Sequence, residues 1–458
     1  MRDFEVEQVT RRAGAILVVG LAACGQWQRV GTADRPPSPN AVLPRLFDAA
    51  SVYRGMGFLV AGAPLPWVGS LRYVEGPTPD STVAVFSISL ANHALNFHRD
   101  ANAFVAEYHV EMAFRGTGGA ARQAARDETV RVPNFQETMR ADESVIFQQL
   151  LTVTPGIYTF TVMVRDRNGP AFTRQEIPDT VPRFAGRGIA SPLPFYQGTG
   201  RTSRAELPKL VLNPRATLPY GADSLRIYLE GYDLRPGVRL QVRAEDAAGT
   251  ELLRDSVALA GDSALASSVV LIPPERLPIG EGEVQVWAEG VDTVRAPFLV
   301  SFSGDWVIAN FDQMISLLRY FSQQAWIDKL RAATPEQRPT LWRQFWTATD
   351  PVPLTPENEA LDEYFQRVQV ANQRFLEEGD PGWLTDRGEV YITLGEPDEI
   401  LDLSGDMSRV GPHGYQWTYT TLRLTVFFED ATGLGKYRLT PLSRSDYQRV
   451  LDRVRRGQ

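Results

Sequence analysis

The side chains best suited to chemistry are few: four histidines (His93, His98, His109, His413), one cysteine (Cys24) and 55 Asp and Glu among 458 residues. His93, His98 and Asp100 share one stretch, and Glu107, His109 and Glu111 alternate along another. Imidazole and carboxylate groups of this kind can ligate a divalent metal. Neither stretch has the H-E-x-x-H spacing of a zinc hydrolase, and a solvated strand face or loop accounts for both. A single cysteine excludes a zinc-finger cage and a disulfide framework. Ser303-Gly304-Asp305 lacks the glycine pattern of a nucleophile elbow. Gly116-Thr-Gly-Gly119 lacks the Lys and Ser/Thr of a phosphate loop and reads as a hairpin turn. No catalytic residue, metal ligand or cofactor site is assigned, and no cofactor is expected.

Composition narrows the function classes further. The formal charge is −8, so the chain as a whole has no electrostatic footprint for nucleic acid. Its cations are almost all arginine; the lysines are Lys209, Lys329 and Lys436. Hydrophobic residues at 43% and aromatics at 10% exclude wholesale disorder. The length calls for several domains.

The elements that would position these groups come in two kinds. From about Tyr53 to Asp166 the period is two, clearest in Phe104–Phe114. There Tyr108, Val110, Met112 and Phe114 fall on one face, and Glu107, His109 and Glu111 on the other. Thr82–Leu90, Val145–Val153 and Ile157–Val164 read as further strands. Residues 46–204 are therefore expected to be an antiparallel β-sandwich with a trailing linker from Pro178 to Arg204. Residues 205–303 repeat the strand pattern at Ser224–Leu229, Val238–Ala244, Leu252–Leu259, Ser267–Leu271, Glu283–Trp287 and Phe298–Phe302. That spacing predicts an immunoglobulin-like sandwich without the internal cysteine pair. From Asn310 the period becomes helical, with starts at Thr334-Pro335 and Thr355-Pro356. Leu361, Tyr364, Val368, Ala371 and Phe375 form an apolar stripe that stops at Gly379-Asp380-Pro381. Period two then returns at Glu389–Leu394, Gln416–Thr420, Arg423–Glu429 and Lys436–Leu439, before an amphipathic helix at Ser445–Arg456. The predicted fold is thus multidomain: two antiparallel β-sandwich modules, then an α+β unit over 306–458 with a helical lead-in (310–378) and a β part (382–442).

The chain start carries an address. Arg11-Arg12 precede the apolar stretch Ala13–Leu21, which is too short to span a bilayer but has the length of a signal-peptide core. Leu21-Ala22-Ala23-Cys24 resembles the lipobox of bacterial lipoproteins. The resemblance implies a signal peptide over 1–23, lipidation of Cys24 and attachment to a membrane through that lipid. Several acyl chains are needed because one anchors only marginally. Residues 24–45, rich in proline, read as a tether. Gly25 stands where lipoproteins kept at the inner membrane often carry Asp, which favours the outer membrane.

Gly382-Trp383-Leu384-Thr385-Asp386, followed by Arg387–Gly395 and Glu396-Pro397-Asp398, resembles the bacterial GWxTD domain, named for that pentapeptide. Phe345-Trp346, Asp350-Pro351, Asn358-Glu359, Arg367, Ala371-Asn372 and Phe375 are similar to its helical lead-in. The resemblance implies an architecture and no reaction. Physically the motif reads as a clasp more than as a polar functional site. Trp383 would anchor helix against sheet, its indole N–H bonded to one acceptor. Thr385 and Asp386 would bond backbone at the entrance to the following strand, and Asp386 would pair with Arg367. Gly388 and Gly395 would make tight turns bounding that strand. The expected function is a lipid-anchored cell-envelope subunit that binds or scaffolds another envelope protein, without catalysis. The alternative is a lipid-anchored hydrolase of glycan or peptide using His109 or His413.

Overall fold

The computed structural model describes residues 48–116, 121–139, 145–261, 264–302, 310–353, 358–377, 379–403 and 413–456. Cys24, the leader, the tether and Ser303–Asp305 lie outside the described residues. A short helix α1 (Ala49–Gly55), capped by the Asp48 carboxylate on Ser51 N, opens the described chain.

The first β module is built from two sheets. One runs Leu59–Ala61, Trp67–Glu75, Thr82–Leu90, Val145–Val153; the other runs His98–Asp100, Ala103–Gly116, Gly156–Asp166, Phe172–Val181, with Ala121–Val132 also paired to Ala103–Gly116. Phe86, Ile88 and Phe147 from the first sheet share a core with Tyr108, Val110, Met112, Phe114, Phe160 and Val164 from the second. The period-two pattern of Phe104–Phe114 is thus the pattern of a half-buried strand. Ala121–Val132 has no such pattern. Both its faces are largely exposed, and it is held by pairing along almost its whole length.

Thr82–Leu90 departs from alternation in the opposite sense, since all nine of its residues are buried. Its second face, with Val83 and Val85, packs on Leu193, Phe195, Leu210, Leu212, Tyr228, Tyr232 and Leu265 of the second module. The stretch expected to be linker therefore is not one. Phe172–Val181 extends the first module, while Gly188–Ile189 and Leu193–Thr199 pair with Leu225–Tyr232. The second module has one sheet ordered Lys209–Leu212, Leu193–Thr199, Leu225–Tyr232, Leu265–Ile272, Ala260–Gly261. Its other sheet is ordered Thr217–Pro219, Val291–Ser301, Gly280–Ala288, Arg239–Asp246, Glu251–Ala258. Thr217–Pro219 lies parallel to Val291–Ser301, so this module is not purely antiparallel.

The C-terminal part packs helices α2 (Phe311–Leu317), α3 (Gln324–Ala332), α4 (Arg338–Thr349), α5 (Glu359–Arg374), α6 (Asp386–Leu394) and α7 (Pro441–Arg455) with a sheet ordered Glu399–Asp402, His413–Tyr419, Leu424–Asp430, Arg438–Leu439. Its core is continuous with that of the second β module. Tyr220 meets Trp342 with ring centroids 6.3 Å apart, and Phe302 meets Phe365 at 4.9 Å. All described residues fall in one compact unit.

The predicted strand Glu389–Leu394 is overturned: these residues are helix α6. Thr385 is its N-cap, with Oγ1 accepting from Gly388 N at 3.0 Å, and Gly395 ends it in the left-handed region at φ 84°. The run Val390-Tyr-Ile-Thr393 favours strand by propensity, but a cap, a left-handed stop and burial of Val390 and Ile392 outweigh a preference of tenths of a kcal/mol per residue. Gly388 thus sits inside the first helical turn, and Gly395 is a helix stop instead of a strand boundary. The lead-in holds as helix: Asn358, fully buried, caps α5 by accepting from Leu361 N, and its amide donates to Trp346 O at 3.0 Å.

Candidate functional site

The pentapeptide is a knot between α5 and α6. Gly382–Leu384 form a single 3-10 helical turn, and α6 starts directly after it. Backbone approaches backbone here so closely that only glycine fits. A Cβ on Gly382 would lie 2.2 Å from Ala371 O, and one on Gly388 would lie 1.9 Å from Gly382 O. Trp383 is buried in the shared core, as expected of an anchor. Its Nε1, however, has no hydrogen-bond partner among the described residues, contrary to the expected acceptor.

Asp386 has different partners from those expected. One carboxylate oxygen accepts from Leu439 N at 2.7 Å and meets Arg444 Nη2 at 2.5 Å. Arg367 pairs instead with Glu363, one turn earlier on α5, and donates to Ile392 O. The Arg367–Asp386 clasp is therefore overturned. The physical reason is α6: as a helix it carries Asp386 toward the last strand and α7, away from the Arg367 face of α5.

The acid that does gather cations is Glu377, in the loop leaving α5. Its carboxylate is fully buried and accepts from Arg387 Nη2 at 3.3 Å, Arg438 Nη1 at 3.1 Å and Tyr437 N at 3.2 Å. Beside it, Asp380 meets Arg438 at 3.3 Å and Lys436 at 3.5 Å. The Arg387 guanidinium lies 4.2 Å from the Tyr437 ring centroid and 5.4 Å from that of Tyr415. This geometry suits cation–π attraction in a desolvated place. The sequence pattern marks Gly379-Asp380-Pro381 as a helix stop and gives Glu377 no role. The missed signal is that Glu377 precedes the stop while Arg387 and Arg438 follow it on two separate elements.

Burial raises the Glu377 pKa above the ordinary carboxylate value, against the opposing pull of Tyr437 N, Arg387 and Arg438. A carboxyl whose folded pKa lies above its unfolded one binds its proton more tightly in the native state. Its contribution to stability therefore grows as pH falls from above the folded pKa to below the unfolded one. Denaturant unfolding of the wild type and Glu377→Gln across that window should give a stability difference that moves in favour of the wild type on acidification. A flat difference, or one of opposite slope, would contradict a Glu377 pKa raised by burial.

The histidines are dispersed. His109 Nδ1 lies 2.8 Å from Asp127 Oδ1 on the outer face of the first module, and Asp127 also meets Arg167. His98 Nδ1 meets the Asn168 amide at 3.0 Å, while Asp100 pairs with Arg131. His413 stands exposed at the start of its strand. Among the described residues, no group of three or more His, Cys, Asp and Glu is placed to hold a metal ion. No helix among them is long and apolar enough to cross a membrane.

Residues 300–432 match the GWxTD domain family. No curated protein matches the chain. Among solved structures, red sea bream transglutaminase is 10% identical over 55% of this chain and 33% of its own, with a TM-score of 0.15. A tetra-tandem repeat from the extending region of a large adhesion protein is 13% identical over 52% of this chain and 50% of its own, with a TM-score of 0.17.

Proposed function

With a GWxTD domain at residues 300–432 as the premise, we propose that the chain is a lipid-anchored cell-envelope lipoprotein serving as a binding, scaffold or accessory subunit for an envelope protein complex, without catalysis of its own. The observation that carries the non-catalytic reading is where the polar groups of the motif and of the loop before it go. Thr385 caps α6, Asp386 holds the backbone of Leu439, and Glu377 holds the backbone of Tyr437. These groups serve the fold of the domain. On this reading the β modules are immunoglobulin-like sandwiches that act as spacers or docking faces. The outer membrane is the favoured site, from the lipobox and Gly25.

Metabolic lipid labelling of the wild type and Cys24→Ser tests the anchor. The variant should lose the label and be soluble or unprocessed. A variant that stays processed and membrane-bound would remove the lipoprotein reading. Crosslinked affinity capture from native membranes should then recover an envelope protein with the wild type.

A hydrolase acting on glycan or peptide is the second reading, favoured by the His109–Asp127 pair, which resembles a base with its orienting carboxylate. On that reading His109→Ala abolishes hydrolysis; on ours it leaves partner capture unchanged.

A further inference from the structure

We propose that the two β modules form one rigid arm whose angle is set by a buried guanidinium clamp on Glu75. Arg201, in the turn after Leu193–Thr199, is 1% exposed and faces a Glu230 side chain that is 0% exposed. Its Nε and Nη2 donate to the two Glu230 oxygens at 2.8 and 2.9 Å. Nη2 also donates to Glu75 O at 2.6 Å, and Nη1 donates to Glu206 O at 3.1 Å. The Tyr228 and Tyr232 hydroxyls each donate to Glu230 at 2.6 Å.

Glu75, at the end of Trp67–Glu75, pairs with Thr82 in the first module, and side chains of the second module hydrogen-bond its N–H, C=O and carboxylate. Its N–H donates to Tyr232 OH at 3.1 Å, its C=O accepts from Arg201, and its carboxylate accepts from Arg204 Nε at 2.7 Å. Arg204 is fixed in turn by Asp233 at 2.9 Å. A second tie crosses the same interface: the Gln148 amide donates to Leu210 O at 2.7 Å and accepts from Leu212 N at 2.9 Å. The packing leaves no slack beside the clamp. A Cβ on Gly200 would lie 2.5 Å from the Tyr228 ring and 2.8 Å from Ser267 Oγ.

The Val74, Val83 and Val85 face already buries the modules against each other, so affinity does not need ions. A buried ion pair stabilises little more than apolar side chains of the same volume would. What the planar fork adds is direction, because its donors satisfy Glu230 and Glu75 only at one relative placement. Helix α1 meets the second module at the other end of the Trp67–Glu75 strand: Tyr53 OH bonds Thr217 Oγ1 at 2.8 Å, and Phe58 and Val60 pack in the core of the second module. If the lipid anchor proposed above holds the chain upstream, load passes through the junction and not through a module tip. That consequence rests on the anchor; the rigidity does not.

Distance measurement between spin labels tests the arm in the full chain with Cys24→Ser, which removes the native thiol. Labels at the exposed positions Gln123 and Asp292 report the module–module distance. The parent should give one narrow distribution. Arg201→Lys keeps the charge but loses the fork, and should broaden the distribution by about twofold or more. Arg204→Ala, at the rim, should broaden it less. Amide exchange of Ala103–Gly116 and Gly280–Ala288 should stay slow in both variants, showing that each module remains folded. A broad distribution in the parent, or a narrow one in both folded variants, overturns the proposal. Should Arg201→Lys lose exchange protection, Arg204→Ala decides: no broadening there rejects the clamp. Because every arm lacks the lipid, failure here is separate from failure of the lipoprotein reading.

Discussion

Trp383→Ala is expected to destabilise the protein by about 3–5 kcal/mol, the cost of losing a buried aromatic and leaving its cavity. That is comparable with the whole stability of a typical domain. Trp383 is 5% exposed, and the backbone beside it cannot collapse into the space. Gly382 is already pressed on Ala371, and Gly388 on Gly382. Trp383→Phe should recover most of the loss, because among the described residues Trp383 Nε1 makes no hydrogen bond that phenylalanine would forfeit. Core continuity from Tyr220 and Phe302 into Trp342 and Phe365 has a further effect. The second β module should melt with the C-terminal domain, in one calorimetric transition shifted together. Unchanged unfolding of Trp383→Ala with lost partner capture would make this side chain a recognition residue instead of an anchor.

Gly388→Ala should be nearly as severe, at about 3 kcal/mol, the upper end of ordinary overpacking. Helix propensity alone predicts the opposite sign, since alanine in a helix is better than glycine by about 1 kcal/mol. The clash decides, because a Cβ there would meet Gly382 O at 1.9 Å and Trp383 Cα at 3.1 Å, both backbone atoms. To relieve it, α6 must lift off the 3-10 turn, and the Thr385 cap goes with it. Gly62→Ala is the control, having nothing within 4 Å of its Cβ position. Denaturant midpoints for the two variants should separate clearly. A Gly388→Ala protein as stable as the parent would mean that the α6–turn contact is looser than this packing requires.

Most strands were legible because one face of each is buried and the other wet, and period two records that directly. Val145–Val153 has the predicted ends, and so does Thr82–Leu90 although it is buried on both faces. Ala121–Val132 and Leu193–Thr199 were not legible. The first is a polar strand held by backbone pairing, and the second is broken by Pro194 and Gly198. Neither carries a local pattern, because what holds each in place is a partner far away in sequence.

The motif divides in the same way. Its residue types announced a clasp with Trp383 as anchor, while the cap made by Thr385 and the backbone contact at Gly388 depend on α6 being a helix. Which charges meet was beyond local reading. Asp386 turns to Arg444, 58 residues later, and Glu377 to Arg438, 61 residues later.

By itself, then, the sequence determined a β-rich chain with a helical lead-in and a GWxTD motif. These follow from periodicity and from residue types within a short motif, both of which act within a few residues. Only the tertiary structure decided that Glu389–Leu394 is a helix, that Arg367 and Asp386 do not meet, and that Arg201 joins two modules through Glu75. Those outcomes depend on which surfaces are pressed together, and a buried charge takes whichever partner the packing brings within hydrogen-bond reach.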